Sequence, residues 1–293
     1  MNTNLAPELV SVVMPFYQQD DYLKDAVASV MAQTYREVEL VVVDDCSPNC
    51  SASEILETIQ HSRIRILRNE TTLGVAATRN KAIDKAAGSL ILPLDADDLM
   101  APTCIESLVG ILSDDTGGAF CQTQLFGRDD WLWKPVFKLP ELMVLGAPGT
   151  VLFRRTVFDA VGGYREDLPS GEDLDFFISA LEKGWTFKGL DEPLFYYRRH
   201  AGNTTAKIRW LPGDLIQSHA ATLQKYGREA AELYEHRRQL EEHELRVLYR
   251  RHKKLLFLMQ NQPDFSNHAA GSFPEDEVVW QQCLVRLYFR DAD

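Results

Sequence analysis

Leu90-Ile91-Leu92-Pro93-Leu94-Asp95-Ala96-Asp97-Asp98-Leu99-Met100 joins an apolar run to three carboxylates within four residues. Its first half predicts a strand buried on both faces of a parallel sheet. A buried strand that ends in acid is costly unless the charges meet water, a cation or hydrogen-bond donors. In open α/β sheets ligands bind outside the carboxyl ends of strands. Acids at that edge suit a hard divalent ion that in turn holds a phosphate. The simpler reading is that one of them caps a helix beginning near Pro102. Asp98 suits a cap or an outer position better than it suits a ligand.

Outward from this stretch, strands and helices alternate. Leu9 to Met14 is a β-rich run ended by Pro15. Asp20 or Asp21 can cap the helix that follows, in which Leu23, Val27, Val30 and Met31 share a face. Val38 to Val43 is a second buried strand, closed by Asp44-Asp45. Ser51 and Glu54 form a capping-box pattern, and Ile64 to Leu67 is a short third strand. Gly74 opens a loop into a helix through Ala87, with Gly88 placed as its cap.

This rhythm implies a doubly wound parallel sheet. Right-handed crossovers put the carboxyl ends of all these strands on one edge. Pro15, Phe16, Tyr17, Asp44, Asp45, Asp95 and Asp97 are therefore expected around one crevice.

From Gly118 the pattern loosens. Strands are expected at Ala119 to Phe126, Thr150 to Phe153 and Leu194 to Tyr197. A short helix is expected at Thr156 to Val161, stopped by Gly162-Gly163, and another after Gly171-Glu172-Asp173, ended by Gly184. Residues 127–149 read as a long loop or hairpin holding Trp131 and Trp133. Beyond about Leu211 the composition is helical.

The chain has 293 residues, with 31 Lys and Arg against 43 Asp and Glu, a net charge of −12. That balance argues against nucleic-acid binding, which needs a basic face. Met1 to Leu9 lacks the basic start and apolar core of a signal peptide, and no apolar run is long enough to span a bilayer. Five cysteines without paired spacing fit reduced thiols in the cytoplasm.

Seven motifs then occur in order. They are Ser11-Val12-Val13-Met14-Pro15-Phe16-Tyr17, Val42-Val43-Asp44-Asp45-Cys46-Ser47, Gly74-Val75-Ala76-Ala77-Thr78-Arg79-Asn80 and Asp95-Ala96-Asp97-Asp98, followed by Gly162-Gly163-Tyr164, Glu172-Asp173 and Tyr197-Arg198-Arg199-His200. The set resembles the family-2 glycosyltransferases, enzymes of the GT-A fold, over about the first 205 residues. The fold implied is α/β: a Rossmann-like, mostly parallel sheet flanked by helices, with a C-terminal helical extension. The implied division is a nucleotide-sugar-binding half at 1–105, an acceptor-binding and catalytic half at 106–210, and a mainly helical region at 211–293.

The resemblance implies inverting transfer of a sugar from a nucleoside-diphosphate donor, UDP-linked by default, to a hydroxyl acceptor. Asp97 is then the direct ligand of Mg²⁺ or Mn²⁺, with Asp95 on ribose or metal-bound water and His200 a third ligand or phosphate donor. Asp173 is the general base, with Glu172 beside it; the plainer reading of Asp173 is an N-cap. Pro15, Tyr17, Asp44 and Asp45 hold the nucleotide, against the plainer reading of a turn Tyr and an Asx-turn. Arg79 bridges a phosphate or forms an internal ion pair with Asp97 or Asp98. Arg198 and Arg199 add charge for the diphosphate or acceptor, and Trp131 offers an acceptor platform.

The acceptor class implied is a glycan, a lipid-linked intermediate or a small molecule. Leu245 to Leu258, with Arg246, Arg250, Arg251, Lys253 and Lys254 among apolar residues, fits an anionic membrane surface, a solvated face or a contact in a homo-oligomer. A sugar nucleotidyltransferase and a non-catalytic nucleotide-sugar scaffold are the rival readings. The first lacks a Gly-rich loop with Lys after the first strand, and the second is disfavoured by the presence of every expected acid.

Overall fold

The structure is a computed structural model, and it describes residues 7–59, 61–128, 132–133, 148–168 and 172–203. Nearly all of these lie in one compact unit of the chain, Met1–Asp167 with Glu172–Ala201. The expected C-terminal helical region and the 245–258 stretch fall outside the described residues, as does Trp131.

Nine strands form one mixed sheet among the described residues. They are β1 (Val10–Phe16), β2 (Val38–Asp44), β3 (Ile64–Arg68), β4 (Leu90–Pro93), β5 (Leu99–Met100), β6 (Gly118–Gly127), β7 (Leu132–Trp133), β8 (Val151–Arg154) and β9 (Phe187–Arg199). Six helices accompany them: α1 (Leu23–Met31), α2 (Ala52–Ile55), α3 (Val75–Lys85), α4 (Cys104–Ile111), α5 (Arg155–Val161) and α6 (Glu172–Glu182). The order is β3-β2-β1-β4-β8-β6-β9-β5, with β7 on β6.

β3, β2, β1 and β4 are parallel, as expected. The chain winds outward from β1 to β3, and α3 carries it back to β4 on the other side of β1. The switch of direction thus falls between β1 and β4, where a doubly wound sheet opens its ligand crevice. Tyr17 and Asp95 leave the sheet at that point.

Beyond β4 the parallel expectation gives way: β8 is antiparallel to β4 and to β6, and β5 to β9. Only β6 and β9 pair in parallel there, through a bulge near Gln122. The sequence between β6 and β8 carries no helical pattern of the kind that a parallel crossover needs.

Three local expectations are corrected. Pro15 lies inside β1, opposite Val43, rather than ending it. β4 pairs with β1 only as far as Val13, so the missing N–H of Pro15 withholds no ladder bond. The α1 N-cap is Tyr22, with no side-chain cap from Asp20 or Asp21. α3 is capped at Ala86, not Gly88. Gly88 is needed for another reason: a Cβ there would collide with the Leu9 carbonyl oxygen. The capping box of Ser51 and Glu54 is present at α2.

The core on one face of the sheet joins Val13, Val41, Val43, Ile91 and Phe153 to Ala82 and Ile83 of α3, Val157 and Phe158 of α5, and Phe176 and Phe177 of α6. Phe158 stacks on Phe176 at 4.4 Å and Phe153 on Phe177 at 5.6 Å. Burying each such ring is worth about 2 kcal/mol, and the paired geometry adds to it. This cluster seats the body of α6 beside the carboxyl ends of the strands.

Candidate active site

The acidic turn spans the sheet. It leaves the centre at β4 and re-enters at the far edge as β5, which pairs with Phe195 and Tyr196 of β9. The same pairing brings the end of β9 alongside the turn. There His200 Nε2 lies 2.9 Å from Asp97 Oδ2. The side chain of Asp97 is 9% exposed and that of His200 17%. Burial and the neighbouring Asp95 push the Asp97 carboxyl above the usual carboxylate range, with His200 pulling the other way. Asp98 is more deeply buried and is held well above that range by burial, Asp97 and Asp95.

Asp98 is not the cap of α4. β5 stands between them, and Asp98 Oδ1 accepts the Arg198 N–H at 2.8 Å. Arg198 Nε donates to the Asp97 carbonyl oxygen at 2.8 Å. Its guanidinium sits between the rings of Tyr22, at 4.7 Å, and Phe126, at 4.8 Å, with Asp25 at 3.4 Å. Arg198 therefore braces the acidic turn. Arg199 is buried. Tyr22, which sequence reasoning passed over, also packs on His200 at 4.6 Å.

Arg79, 3% exposed, lies between two acids. Its Nη2 donates to Asp95 Oδ1 at 2.6 Å and its Nη1 to Glu172 Oε1 at 2.5 Å. The ion pair expected with Asp97 or Asp98 is thus made with Asp95 and Glu172. Burial alone would lower the guanidinium's pKa, but the two carboxylates more than offset it and fix the charge. The ring of Tyr164 lies 5.6 Å from the guanidinium carbon. Burial pushes the Tyr164 phenol up, Arg79 opposes this, and Asp173, Glu172 and Asp95 add to it. One tyrosine thus senses all three acids. The adjacent Asn80 grips the same turn, donating to the Tyr164 carbonyl and accepting its N–H, each at 2.8 Å.

At the end of β2 the structure gives both aspartates internal partners. Asp44, 1% exposed, accepts from Ser47 N at 2.8 Å, Ala52 N at 3.1 Å and Arg68 Nη1 at 2.6 Å. Asp45 accepts from Asn69 Nδ2, Leu73 N and Gly74 N at 2.7, 2.8 and 2.9 Å. Both carboxylates are thus engaged by the protein's own loops. They shape the loops that frame the crevice. The sequence offered no signal for Arg68, whose side chain is 43% exposed at this rim. Tyr17 is 44% exposed at the end of β1, and Pro15 is buried below it.

Among the described residues no three His, Cys, Asp or Glu side chains converge as a metal cage. A carboxylate and an imidazole do pair at Asp97 and His200, beside a crowd of buried acids. That donor set fits Mg²⁺ or Mn²⁺, which take one or two protein ligands and complete their shell with water and phosphate oxygens. No helix among the described residues is long and apolar enough to cross a membrane.

A mixed sheet that is parallel in its first half and switches direction beside an acidic turn is the arrangement of the GT-A fold. Residues 11–165 match the model for glycosyl transferase family 2, and the chain belongs to that family. It is similar to the Escherichia coli UDP-Glc:alpha-D-GlcNAc-diphosphoundecaprenol beta-1,3-glucosyltransferase WfaP, 28% identical over 204 residues, covering 68% of this chain and 80% of the relative. Among solved structures, S. aureus TarS 1–349 in complex with UDP-GlcNAc aligns with a TM-score of 0.64 at 20% identity, over 95% of this chain and 79% of that one. The mannosyltransferase PcManGT from Pyrobaculum calidifontis, in complex with GDP-Man and Mn2+, aligns at 0.58 and 14% identity, over 96% and 84%. The likeness to the solved structures shows the fold, and the family match shows the class, a glycosyltransferase.

Proposed function

We propose that the chain is an inverting, divalent-metal-dependent glycosyltransferase. It moves a sugar from a nucleoside-diphosphate donor, UDP-linked by default, to a hydroxyl acceptor in glycan or glycoconjugate synthesis. The observation that carries this reading is the grouping of Asp95, Asp97 and His200 at one rim, to which Arg79 joins Glu172, the neighbour of Asp173 in the first turn of α6.

In this reading the donor lies along the switch point. Tyr17, exposed above Pro15, stacks on the base, and the loops held by Asp44 and Asp45 frame the nucleoside. Asp95 keeps one carboxylate oxygen for ribose while the other engages Arg79. Asp97 and His200 hold Mg²⁺ or Mn²⁺, and a bound ion supplies Lewis-acid stabilisation to the departing diphosphate. Asp173, in the first turn of α6, accepts the proton of the acceptor hydroxyl as it attacks the anomeric carbon. One base opposite the leaving group gives inversion in a single displacement.

Residues 1–105 then serve the donor, 106–210 the acceptor, and 211–293 the acceptor's carrier or a partner. WfaP, by its name, acts on a diphosphoundecaprenol-linked sugar. A lipid-linked acceptor at the cytoplasmic face of a membrane would place the basic 245–258 stretch against anionic lipid.

A panel of UDP-, GDP- and dTDP-sugars, each with and without Mn²⁺, tests the proposal through thermal shift and nucleoside-diphosphate release. A donor that binds only the folded state raises the melting temperature. Release of pyrophosphate would point to a nucleotidyltransferase, and binding without turnover to a scaffold.

A further inference from the structure

We infer that Arg79 is a positioning residue: it ties the first turn of α6 to the acidic strand end and thereby sets where Asp173 stands, and it does not bind the donor diphosphate. This rests on the reading of Asp173 as the base.

The geometry leaves little room for a phosphate. Both terminal nitrogens of Arg79 are committed, to Asp95 at 2.6 Å and Glu172 at 2.5 Å. The third nitrogen, Nε, is buried without a partner. Tyr164, itself 3% exposed, lies against the guanidinium. A diphosphate would have to break a paired, buried ion triad to reach this charge, and breaking such a pair strands a buried carboxylate.

The positioning role follows from how α6 is held. Its body is fixed by Phe176 and Phe177 against Phe153 and Phe158. Those rings lie a turn away from Asp173. The helix start is tied to the sheet through Glu172, the immediate neighbour of Asp173. A guanidinium fork bound at both ends fixes direction as well as distance. Asn80 completes the device by clamping the backbone of Tyr164, whose ring packs against the fork. The dipeptide Arg79-Asn80 of α3 thus links the end of β4, the turn after α5 and the start of α6. An angstrom of drift in a base costs about a hundredfold in rate.

The test uses the full-length protein with Mn²⁺ and two donor probes, UDP-glucose and UDP-GlcNAc, reading UDP release and UDP affinity. Arg79→Lys keeps the charge but reaches only one acid. We expect its kcat to fall about tenfold while KM for the donor and Kd for UDP stay within about twofold. Arg79→Met is expected to fall about a hundredfold, with Arg79→Lys restoring part of the loss. Because Arg79→Met strands two acids, Arg79→Met/Glu172→Gln is measured beside it. If Glu172 is the far end of the tether, the double variant is no slower than Arg79→Met alone. A tenfold weaker UDP complex in Arg79→Lys, or an unchanged kcat in Arg79→Met, overturns the inference.

Amide hydrogen exchange at residues 172–182 of the unliganded protein separates this result from the donor reading. Faster exchange confined to the first turn in Arg79→Met upholds the tether even if neither donor binds the wild type, an outcome that would defeat the proposed function alone. Unchanged exchange removes the tether.

Discussion

Asp97 and His200, 103 positions apart in sequence, meet at 2.9 Å where the acidic turn passes the end of β9. The Asp97 carboxyl is raised by burial and by Asp95. Burial and Asp95 thus make ionising this carboxyl more costly in the folded than in the unfolded chain, and the fold loses stability as pH rises through its raised pKa. Asp97→Asn removes the cost and keeps a hydrogen-bond partner for His200. We expect the variant to melt at or above the wild type in EDTA at pH 7.5. The same variant should lose the Mn²⁺-induced thermal shift and at least about a hundredfold in turnover. Lower melting in EDTA would show that Asp97 is structural.

Asp173→Asn keeps the shape of the side chain but cannot take a proton. The fold should be unaffected, since the body of α6 is seated by Phe176 and Phe177. Turnover is expected to fall by about 10³-fold with donor affinity unchanged, as measured by UDP release and calorimetry. Near-normal turnover would remove Asp173 from the chemistry.

Asp44→Ala deletes a buried acceptor that serves Ser47 N, Ala52 N and Arg68. Two backbone donors are left without a partner beneath α2. The loss is expected to be about 3 kcal/mol, read from urea unfolding, with Asp44→Asn in between. A residue that served only the nucleotide would leave the unfolding midpoint unmoved.

Gly163→Ala meets two obstacles. Gly163 has φ +84°, and a Cβ there would lie 2.8 Å from Asn80 Oδ1. The Asn80 amide is pinned by both backbone groups of Tyr164, so it has no easy way to withdraw. About 2 kcal/mol of destabilisation is expected from thermal or urea unfolding. Gly162→Ala, whose φ is similar but whose Cβ would meet open space, should cost less.

The parallel half of the sheet was legible because its strands are continuous apolar runs and its helices show a buried face. β9 was foreseen only at Leu194 to Tyr197, whereas it runs from Phe187. Its first part contains Gly189 and Pro193 and pairs through a bulge, so propensity conceals it. The antiparallel turn of the sheet at β8 was equally hidden, because pairing partners distant in sequence leave no local mark.

At the candidate site, motif order singled out side chains that the fold brings together, but not their partners. Asp44 and Arg198 read as groups facing a ligand, yet each is engaged by loops and rings of the protein itself. Arg68 and Tyr22 carried no signal. What they touch is decided by the meeting of β2 with β3 and of α1 with β9, which one-dimensional spacing does not encode.

β5 joins the sheet by pairing with Phe195 and Tyr196. A nascent chain that has emerged past the acidic turn still lacks the strand that holds the turn's far end. The candidate rim therefore closes only once β9 has been made, and a shortened polypeptide ending before β9 would display the aspartates without that enclosure.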